Sequence, residues 1–339
     1  MTRIAVTGGC GFIGSHFIKH IRKTHPDYQI VVFDKFTYAG NPDNVDFKDD
    51  HISLIAGDVA VKESVERLTM FGKIDYLVNF AAETFVDASI HSDPLTFCRT
   101  NAIGTLVLLN WLREHPETRY LQVSTDEVYG DLPLEGDEKF DLSSQIQPNN
   151  PYSASKASAD HFVLSYVRTF GVDARITRCS NNYGSHQFPE KFIPRMVIKA
   201  LANEPLPIYG EGTNIRDWIH VSDHVRGIAQ ALHFGKSGEV YNFGGDAEYT
   251  NLEVAQEILR LLGKPIDRLE YVTDRPGHDL RYAIDTTEVL ESLCWAPLRL
   301  FTSGLQETVE WYTQNPEWVN RIEDGSYRNQ IPHGFRDLK

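Results

Sequence analysis

The sequence predicts an α/β protein with a doubly wound parallel sheet and a smaller C-terminal α+β lobe. Three observations support this prediction. Apolar, strand-like runs alternate with amphipathic stretches over the first half of the chain, which is typical of a parallel sheet covered by helices on both faces. A glycine-rich segment joins the first strand to the first helix, and after about residue 184 the alternation gives way to shorter elements. We expect a first domain over residues 1–184 and a second lobe over residues 185–339, with a soft boundary and interleaved lobes.

The first domain is expected to contain six strands separated by helices. The strand-like runs span residues 3–7, 28–34, 52–58, 75–81 and 120–125, and residues 174–184 are expected to form a strand that leads into a loop. Helices are expected at 16–25, 61–72, 101–115 and 152–171, and the stretch 131–151, rich in Asp, Gly, Pro and Asn, is expected to be a loop. In the second lobe we expect short strands at 206–210 and 239–245, and helices near 191–203, 222–234, 251–263 and 303–314.

Composition limits the partners and the compartment. The 339 residues are 41% apolar and carry a formal net charge of −14, which is unsuited to nucleic acid or to an anionic membrane as the main partner. No apolar run reaches the length of about 20 residues that spans a bilayer. The N-terminus enters a strand directly, so we expect no signal peptide. The four cysteines, at positions 10, 98, 179 and 294, have no metal-ligand spacing, which predicts a cytoplasmic protein without a metal.

The glycine-rich segment has the spacing of a dinucleotide-binding loop. Gly8, Gly11 and Gly14 stand three residues apart, between the first strand and the first helix. Glycines there allow a tight turn and the close approach of a pyrophosphate, whose charge the N-terminus of the helix stabilises. The second strand ends in Asp34, an acid that accepts hydrogen bonds from a ribose diol and repels a 2′-phosphate. The pattern predicts a Rossmann-type domain that binds NAD in preference to NADP, although the adjacent Lys35 weakens that preference.

Tyr152 and Lys156 lie four residues apart on a predicted helix, so their side chains share one face. A lysine ammonium, together with the positive charge of an oxidised nicotinamide, favours the phenolate form of a tyrosine and makes it a usable base. Thr125, a hydroxyl residue at the end of a strand, completes this predicted group. The combination predicts removal of a proton from an alcohol whose hydride passes to NAD.

These residues resemble the extended short-chain dehydrogenase/reductase family. The likeness rests on TGGCGFIG (7–14), NFAAE (79–83), the Tyr152-x-x-x-Lys156 pair and RDWIHV (216–221), which together cover most of the chain. The resemblance implies an NAD-binding Rossmann domain and a C-terminal lobe that binds a nucleotide sugar. It does not select among the epimerases, decarboxylases, reductases and dehydratases of that family.

Two adjacent acids, Asp126 and Glu127, follow Thr125 and narrow the resemblance to the nucleotide-sugar 4,6-dehydratases. The likeness extends over FDKFTYAGN, STDEVYGDLP, PYSASKAS, RCSNNYG, FPEKFIPRM, LPIYG, RDWIHVSDH and DRPGHDLRYAID, from residue 33 to residue 285. In such enzymes oxidation at C4 acidifies the C5 hydrogen, and the loss of water across C5–C6 needs a base and an acid. The resemblance makes Glu127 the base and Asp126 the acid, whose pKa must be raised by burial and by the neighbouring carboxylate.

The implied reaction consumes no NAD overall, because the hydride returns to C6 and the product is a 4-keto-6-deoxy sugar. The expected substrate is dTDP-glucose, with a UDP-hexose as the alternative, and a homodimer is implied. By the same resemblance the further cofactor-binding residues are Phe12, Ile13, Thr37, Gly40, Asp58, Val59, Phe80, Ala81, Ala82, Thr100 and Asn182. The implied substrate-binding residues, besides Thr125, are Thr84, Asn181, Lys191, Phe192, Pro207, Tyr209, Arg216, Asn251, Arg275 and His278.

One stretch departs from the family pattern. AAETFVDASI (81–90) has Phe85 and Ala88 where that pattern has His and Arg, and the loss of two polar side chains could change the sugar, the base or the fate of the keto product. Two other functions stay open at this point. A nucleotide-sugar 4-epimerase or decarboxylase has no need of the acid pair, and a non-catalytic NAD-binding protein has no need of the tyrosine, the lysine and the threonine.

Overall fold

Twelve strands form within residues 1–274 and 276–331, the part of the chain that the computed structural model describes. They are β1 Arg3–Thr7, β2 Gln29–Asp34, β3 Ile52–Ala56, β4 Tyr76–Asn79, β5 Arg119–Val123, β6 Ala174–Cys179, β7 Asn181–Tyr183, β8 Leu206–Tyr209, β9 Ile215–His220, β10 Val240–Phe243, β11 Glu248–Thr250 and β12 Leu269–Val272. Seven of them make one parallel sheet in the order β10-β6-β5-β4-β1-β2-β3. This confirms the predicted doubly wound sheet.

Twelve α-helices occur in the same described residues. They are α1 Phe12–Thr24, α2 Lys62–Glu66, α3 Val86–His91, α4 Pro94–Phe97, α5 Gly104–Glu114, α6 Pro151–Phe170, α7 Phe192–Leu201, α8 Val221–Phe234, α9 Asn251–Leu261, α10 Thr287–Leu293, α11 Phe301–Gln314 and α12 Pro316–Glu323. A π-helical segment, Cys98–Ile103, precedes α5. None of these helices is long and apolar enough to cross a membrane.

The two faces of the large sheet bury separate cores, because successive side chains of a strand point to opposite faces. On β1, Ile4 and Val6 pack toward one core and Ala5 packs toward the other. The first core also contains apolar residues of α1 and α8, and the second contains those of α5 and α6. A third core lies in the C-terminal lobe between α7, α9 and α11. Burial of these faces, rather than helix propensity, is what stabilises most of the helices.

The chain returns to the large sheet after it has begun the second lobe. Helix α8 packs against α1, and β10 pairs with β6 at the edge of the sheet. The remaining strands form two small sheets, one of order β11-β9-β7 and one that pairs β12 with β8. The domain boundary after residue 184 stays a prediction, and both β10 and α8 lie beyond it.

Candidate active site

A cavity of about 400 Å³ lies at the carboxyl ends of β1, β4, β5 and β6, the edge at which parallel α/β sheets bind ligands. All five predicted catalytic residues line it: Thr125, Asp126, Glu127, Tyr152 and Lys156. So do most of the predicted substrate-binding residues, namely Thr84, Asn181, Lys191, Phe192, Pro207, Tyr209, Arg216, Asn251 and His278. The predicted Arg275 lies outside the described residues.

The predicted cofactor residues fall into two groups. Those that line the cavity, besides the catalytic tyrosine and lysine, are Gly8, Gly11, Phe12, Ile13, Gly14, Phe80, Ala82 and Asn182. Those that lie outside its lining are Asp34, Lys35, Thr37, Gly40, Asp58, Val59, Ala81 and Thr100. The second group belongs mostly to the loops that follow β2, β3 and β4.

The glycine loop packs so closely against neighbouring backbone that side chains at Gly8 and Gly14 would clash with it. Gly8 has a φ of +65°, and a Cβ there would lie 2.7 Å from the backbone nitrogen of Ala81. A Cβ on Gly14 would lie 2.4 Å from the carbonyl oxygen of Gly8. Gly11 is the N-cap residue of α1 and has no side chain that could accept hydrogen bonds from the first backbone amides of this helix. These features fit the diphosphate of a dinucleotide.

Asp34 is buried beside the glycine loop. Its two carboxylate oxygens accept hydrogen bonds from the backbone nitrogens of Cys10, at 2.9 Å, and Phe36, at 2.7 Å. Burial raises the pKa of Asp34, and these backbone donors oppose that shift. The neighbouring Lys35 places its Nζ 3.1 Å from Asp58 Oδ2. The lysine charge that weakened the predicted preference for NAD is therefore partly offset by an acid.

Helix α6 holds Tyr152 and Lys156 on one face at its first two turns. The helix begins with a capping box, in which Asn150 accepts a hydrogen bond from the backbone of Ser153. Lys156 Nζ donates a 2.7 Å hydrogen bond to the carbonyl oxygen of Val123, at the end of β5. The pKa of Tyr152 is raised well above its ordinary value, first by burial and then by the charge of Glu127.

The expected lowering of the Tyr152 pKa by Lys156 is therefore not found in the chain alone. The ammonium is directed at a backbone carbonyl, and burial lowers the pKa of Lys156 itself.

The acid pair sits in a short 3₁₀ turn, Asp126–Tyr129, that Thr125 caps. The Thr125 hydroxyl donates to Asp126 Oδ1 at 3.3 Å and accepts from the backbone nitrogen of Glu127 at 3.4 Å. Asp126 is 2% exposed, and its Oδ2 has no hydrogen-bond partner among the described residues. Burial, followed by the charges of Glu127 and Asp217, raises the pKa of Asp126 well above its usual range. The raised pKa that a proton donor requires is present.

Two of the predicted substrate-binding residues that line the C-terminal part of the cavity are the cations Lys191 and Arg216. Lys191 Nζ donates to the carbonyl oxygen of Thr84 at 2.7 Å and lies 3.4 Å from Glu190 Oε1. Arg216 is buried and donates from its two Nη atoms to backbone carbonyls, so its guanidinium is held in a fixed orientation. Both cations are placed to meet an anionic ligand.

Comparison with known proteins identifies the family. Residues 5–308 match the family model described as GDP-mannose 4,6 dehydratase. The dTDP-glucose 4,6-dehydratase of Xanthomonas campestris is 45% identical over 95% of this chain and 96% of its own length, and that of Mycobacterium tuberculosis is 43% identical over 96% and 97%. The crystal structure of the Bacillus anthracis dTDP-glucose 4,6-dehydratase, in complex with NAD, is 45% identical with a TM-score of 0.88, covering 95% of this chain and 100% of that one. The chain belongs to the dTDP-glucose 4,6-dehydratase family.

A more distant relative shows how far the scaffold extends beyond the dTDP-glucose 4,6-dehydratase family. The UDP-glucose 4-epimerase of Thermus thermophilus, solved with NAD, has a TM-score of 0.85 but only 27% sequence identity, over 93% of this chain and 100% of that one. This chain is 43–45% identical to the dehydratases named above but only 27% identical to the epimerase. That difference weighs against the alternative that the chain is an epimerase.

Several cavity residues were not predicted from the sequence. They are Ala39, Phe85, Val86, Asp87, Val123, Ser124, Cys179, Ser180, His186, Gln187, Phe188, Glu190, Arg195, Met196, Trp218 and Tyr282. Cys179 ends β6, and Ser180 follows it directly before the predicted Asn181. Glu190 precedes the predicted Lys191, so adjacency alone would have indicated these three residues. Tyr282 lies in the stretch DRPGHDLRYAID, four residues after the predicted His278, but the sequence analysis did not single it out.

The two positions that the sequence analysis singled out, Phe85 and Ala88, differ in their placement. Phe85, the residue before α3, lines the cavity, whereas Ala88 lies within that helix and does not. Phe85 therefore presents an apolar ring to the site.

Proposed function

We propose that this protein converts dTDP-glucose into the 4-keto-6-deoxy sugar, with NAD as its cofactor. The observation that carries the proposal is the acid pair, Asp126 and Glu127, placed at the end of β5 beside Tyr152 in one cavity. An epimerase needs only the tyrosine and the cofactor, whereas an elimination of water also needs a proton acceptor and a proton donor.

The cofactor is held by backbone more than by side chains. We assign the glycine loop and the N-terminus of α1 to its diphosphate and Asp34 to its adenosine ribose, which the close-approach glycines and the buried carboxylate support. NAD, when bound, accepts a hydride from C4 of the sugar and returns it to C6. Its re-use within one turnover means that no external reductant is required.

Tyr152 is the base we propose for the C4 hydroxyl. Burial and the nearby carboxylate keep this phenol protonated in the chain alone, so its activation depends on the positive charge that the oxidised cofactor brings. Lys156, hydrogen-bonded to the end of β5, holds the helix that carries Tyr152 against the strand that carries the acids. The Thr125 side chain, just after β5, supplies a further hydroxyl to the same cavity.

The elimination is proposed to use the two acids in opposite protonation states. Glu127, as a carboxylate, takes the C5 proton, which the C4 ketone has made acidic. Asp126, kept protonated by burial and by two neighbouring negative charges, gives its proton to the 6-hydroxyl as that group leaves as water. Two adjacent carboxyl groups in opposite protonation states are a recurrent arrangement for paired acid and base catalysis.

The test is incubation of the purified protein with dTDP-glucose, and separately with UDP-glucose, without added reductant. We expect dTDP-glucose to give a 4-keto-6-deoxy product, with the bound cofactor oxidised at the end. Recovery of a C4 epimer, or of unchanged sugar from both substrates, would refute a dehydratase. If only UDP-glucose is converted, the proposed reaction stands and the nucleotide of the substrate is UDP instead of dTDP.

We further propose a homodimer and a cytoplasmic location. The apolar side chains of Leu95 and Ile103 are 76% and 46% exposed on α4 and the π-helical segment, beside α6, and such a surface favours association. Light scattering on the wild type and on Ile103→Glu tests the dimer, since a charge at a buried interface is expected to yield monomers.

The cytoplasmic location is supported by the cysteines. The four cysteines are free thiols, two of them buried, which suits a reducing compartment.

A further inference from the structure

Tyr282 lies where the C-terminal lobe meets the catalytic turn. It is 3% exposed, lines the cavity, and packs in a small core with Val128 and Tyr129 of the acid-bearing turn and with Ala157 of α6. Burial, and then the charge of Glu127, raises the pKa of Tyr282 well above its ordinary value, so its hydroxyl stays protonated and acts as a donor.

The hydroxyl of Tyr282 donates to Asp279 Oδ2. The other carboxylate oxygen of Asp279 accepts a 2.6 Å hydrogen bond from Asn149 Nδ2, and its backbone carbonyl accepts one of 3.1 Å from Asn214 Nδ2. The same carbonyl also accepts from Arg216 Nη2 at 2.9 Å. Asp279 is thus fixed by four donors, and its carbonyl is presented to the arginine.

The ring of Tyr282 lies directly under that arginine. The Cζ atom of Arg216 stands 4.5 Å from the ring centroid, within the range of a cation–π interaction. Arg216 Nη1 donates to the carbonyl oxygens of Ile215, at 2.7 Å, and Leu280, at 3.4 Å. Its Nε and one hydrogen on Nη2 have no hydrogen-bond partner within the described part of the chain, and they remain available for a ligand oxygen pair.

Backbone pairing keeps the stack together. Ile215 donates to the carbonyl oxygen of Leu280 at 2.8 Å, and Tyr282 donates to the carbonyl oxygen of Ile215 at 3.2 Å. Arg216 and Tyr282 are therefore held side by side by the main chain, while the carbonyl oxygens of Ile215, Asp279 and Leu280 and the ring of Tyr282 fix the orientation of the guanidinium.

We propose that Tyr282 is a positioning residue that orients Arg216 toward the substrate diphosphate and joins this anchor to the turn that bears Asp126 and Glu127. The inference rests on the function proposed above, in which Arg216 binds the diphosphate. Its effect is on the binding and placement of the substrate, since Tyr282 exchanges no proton with the sugar. A residue of this kind changes KM and the affinity for the free nucleotide before it changes kcat.

A space-filling role for Tyr282 makes a different prediction. In that case Tyr282→Phe would keep the volume, lower the thermal stability slightly, and leave substrate binding as in the wild type. Tyr120 provides a matched control, because it is a buried tyrosine that donates to Gln122 within the sheet and does not line the cavity. Tyr120→Phe removes one buried hydroxyl without touching Arg216.

The experiment measures KM and kcat for dTDP-glucose, calorimetric Kd for dTDP, and Tm, in the wild type, Tyr282→Phe, Tyr282→Leu and Tyr120→Phe. For Tyr282→Phe we expect KM and the dTDP Kd to rise together by about fivefold, the loss of roughly one hydrogen bond, with kcat within about twofold. Tyr282→Leu also removes the ring and is expected to raise both by more than about tenfold. Tyr120→Phe is expected to lower Tm only.

A double-mutant cycle with Arg216→Lys decides whether the effect passes through the arginine. In the Arg216→Lys background, Tyr282→Leu is expected to change the dTDP Kd by less than about twofold, because the stacked partner is already lost. Additive effects of the two substitutions, or an unchanged dTDP Kd in both Tyr282 variants, would overturn the proposal. If the wild type leaves dTDP-glucose unreacted, the dehydratase function fails, and the dTDP titrations still test the placement of Arg216.

Discussion

Acidification is expected to destabilise the protein through buried histidines, and His224 provides the clearest case. This residue of α8 is fully buried, with its Nδ1 2.9 Å from Asn182 Oδ1 and its ring near that of Phe243. Its Nε2 has no hydrogen-bond partner among the described residues. A second proton would have to be placed on that atom in an apolar environment, and burial accordingly lowers the pKa of His224 to about 3.

The magnitude follows from the two pKa values. In the unfolded chain the histidine pKa is about 6.5, so below that pH the unfolded state binds a proton that the folded state refuses. Above pH 6.5 the ionisation of His224 therefore does not reduce the free energy of unfolding. Below that pH the free energy of unfolding falls by about 1.4 kcal/mol per pH unit, until the pKa of the folded state is reached. Between pH 7 and pH 5 this one residue is expected to remove about 2 kcal/mol from the free energy of unfolding.

The assay is urea unfolding at pH 7 and at pH 5 for the wild type and for His224→Gln, which retains an amide donor for Asn182. The variant should lose about 2 kcal/mol less of its free energy of unfolding than the wild type over that interval. His91→Gln, which replaces an exposed histidine, is the control and should follow the wild type. Equal pH dependence in the wild type and in His224→Gln would show that His224 accepts its proton without a folding penalty.

Three further outcomes concern the chemistry. Glu127→Gln should still oxidise the sugar at C4 but stall there, which is measured as a persistent absorbance of NADH. Dehydration at the wild-type rate would show that Glu127 is not the base. Glu138→Gln, in an exposed loop, is the control. Asp126→Asn should lower kcat by about 10²- to 10⁴-fold through loss of the proton donor, and a kcat near that of the wild type would exclude this role. Gly14→Ala should weaken NAD binding by more than about tenfold, because its Cβ would meet the carbonyl oxygen of Gly8; calorimetric titration with NAD checks this, and an unchanged Kd would contradict it.

The larger elements of the fold could be predicted because each has a strong local signal. The strand at 3–7 and the helices at 152–171 and 222–234 agree with the structure to within one residue or so at each end. The short helices α3, α4, α10 and α12 were not predicted, since segments of four to eight residues offer too little periodicity. The place of β10 at the edge of the large sheet depends on tertiary packing that no local pattern records.

The candidate site was predictable where its residues stand next to motifs. Thr125, Asp126 and Tyr152 occupy a strand end and a helix start, and parallel topology alone brings such positions together. The protonation of Tyr152 was not predictable, because helical spacing gives the face of Lys156 but not the direction of its ammonium, which the free carbonyl of Val123 determines. Tyr282 lies in a stretch that carries the family resemblance, but its contact with Arg216 could not be predicted, since it joins residues far apart in the chain.

The position of β10 also constrains how this protein can be made. During synthesis the strand β6 is the outer edge of a growing parallel sheet until Val240–Phe243 leave the ribosome and pair with it. An uncovered edge of this kind invites pairing with other chains. A fragment that ends at residue 184 would keep that edge permanently and would lack α8 over the sheet. The dinucleotide domain is therefore expected to be obtainable only as part of the whole chain, with the second lobe acting as a requirement for its folding.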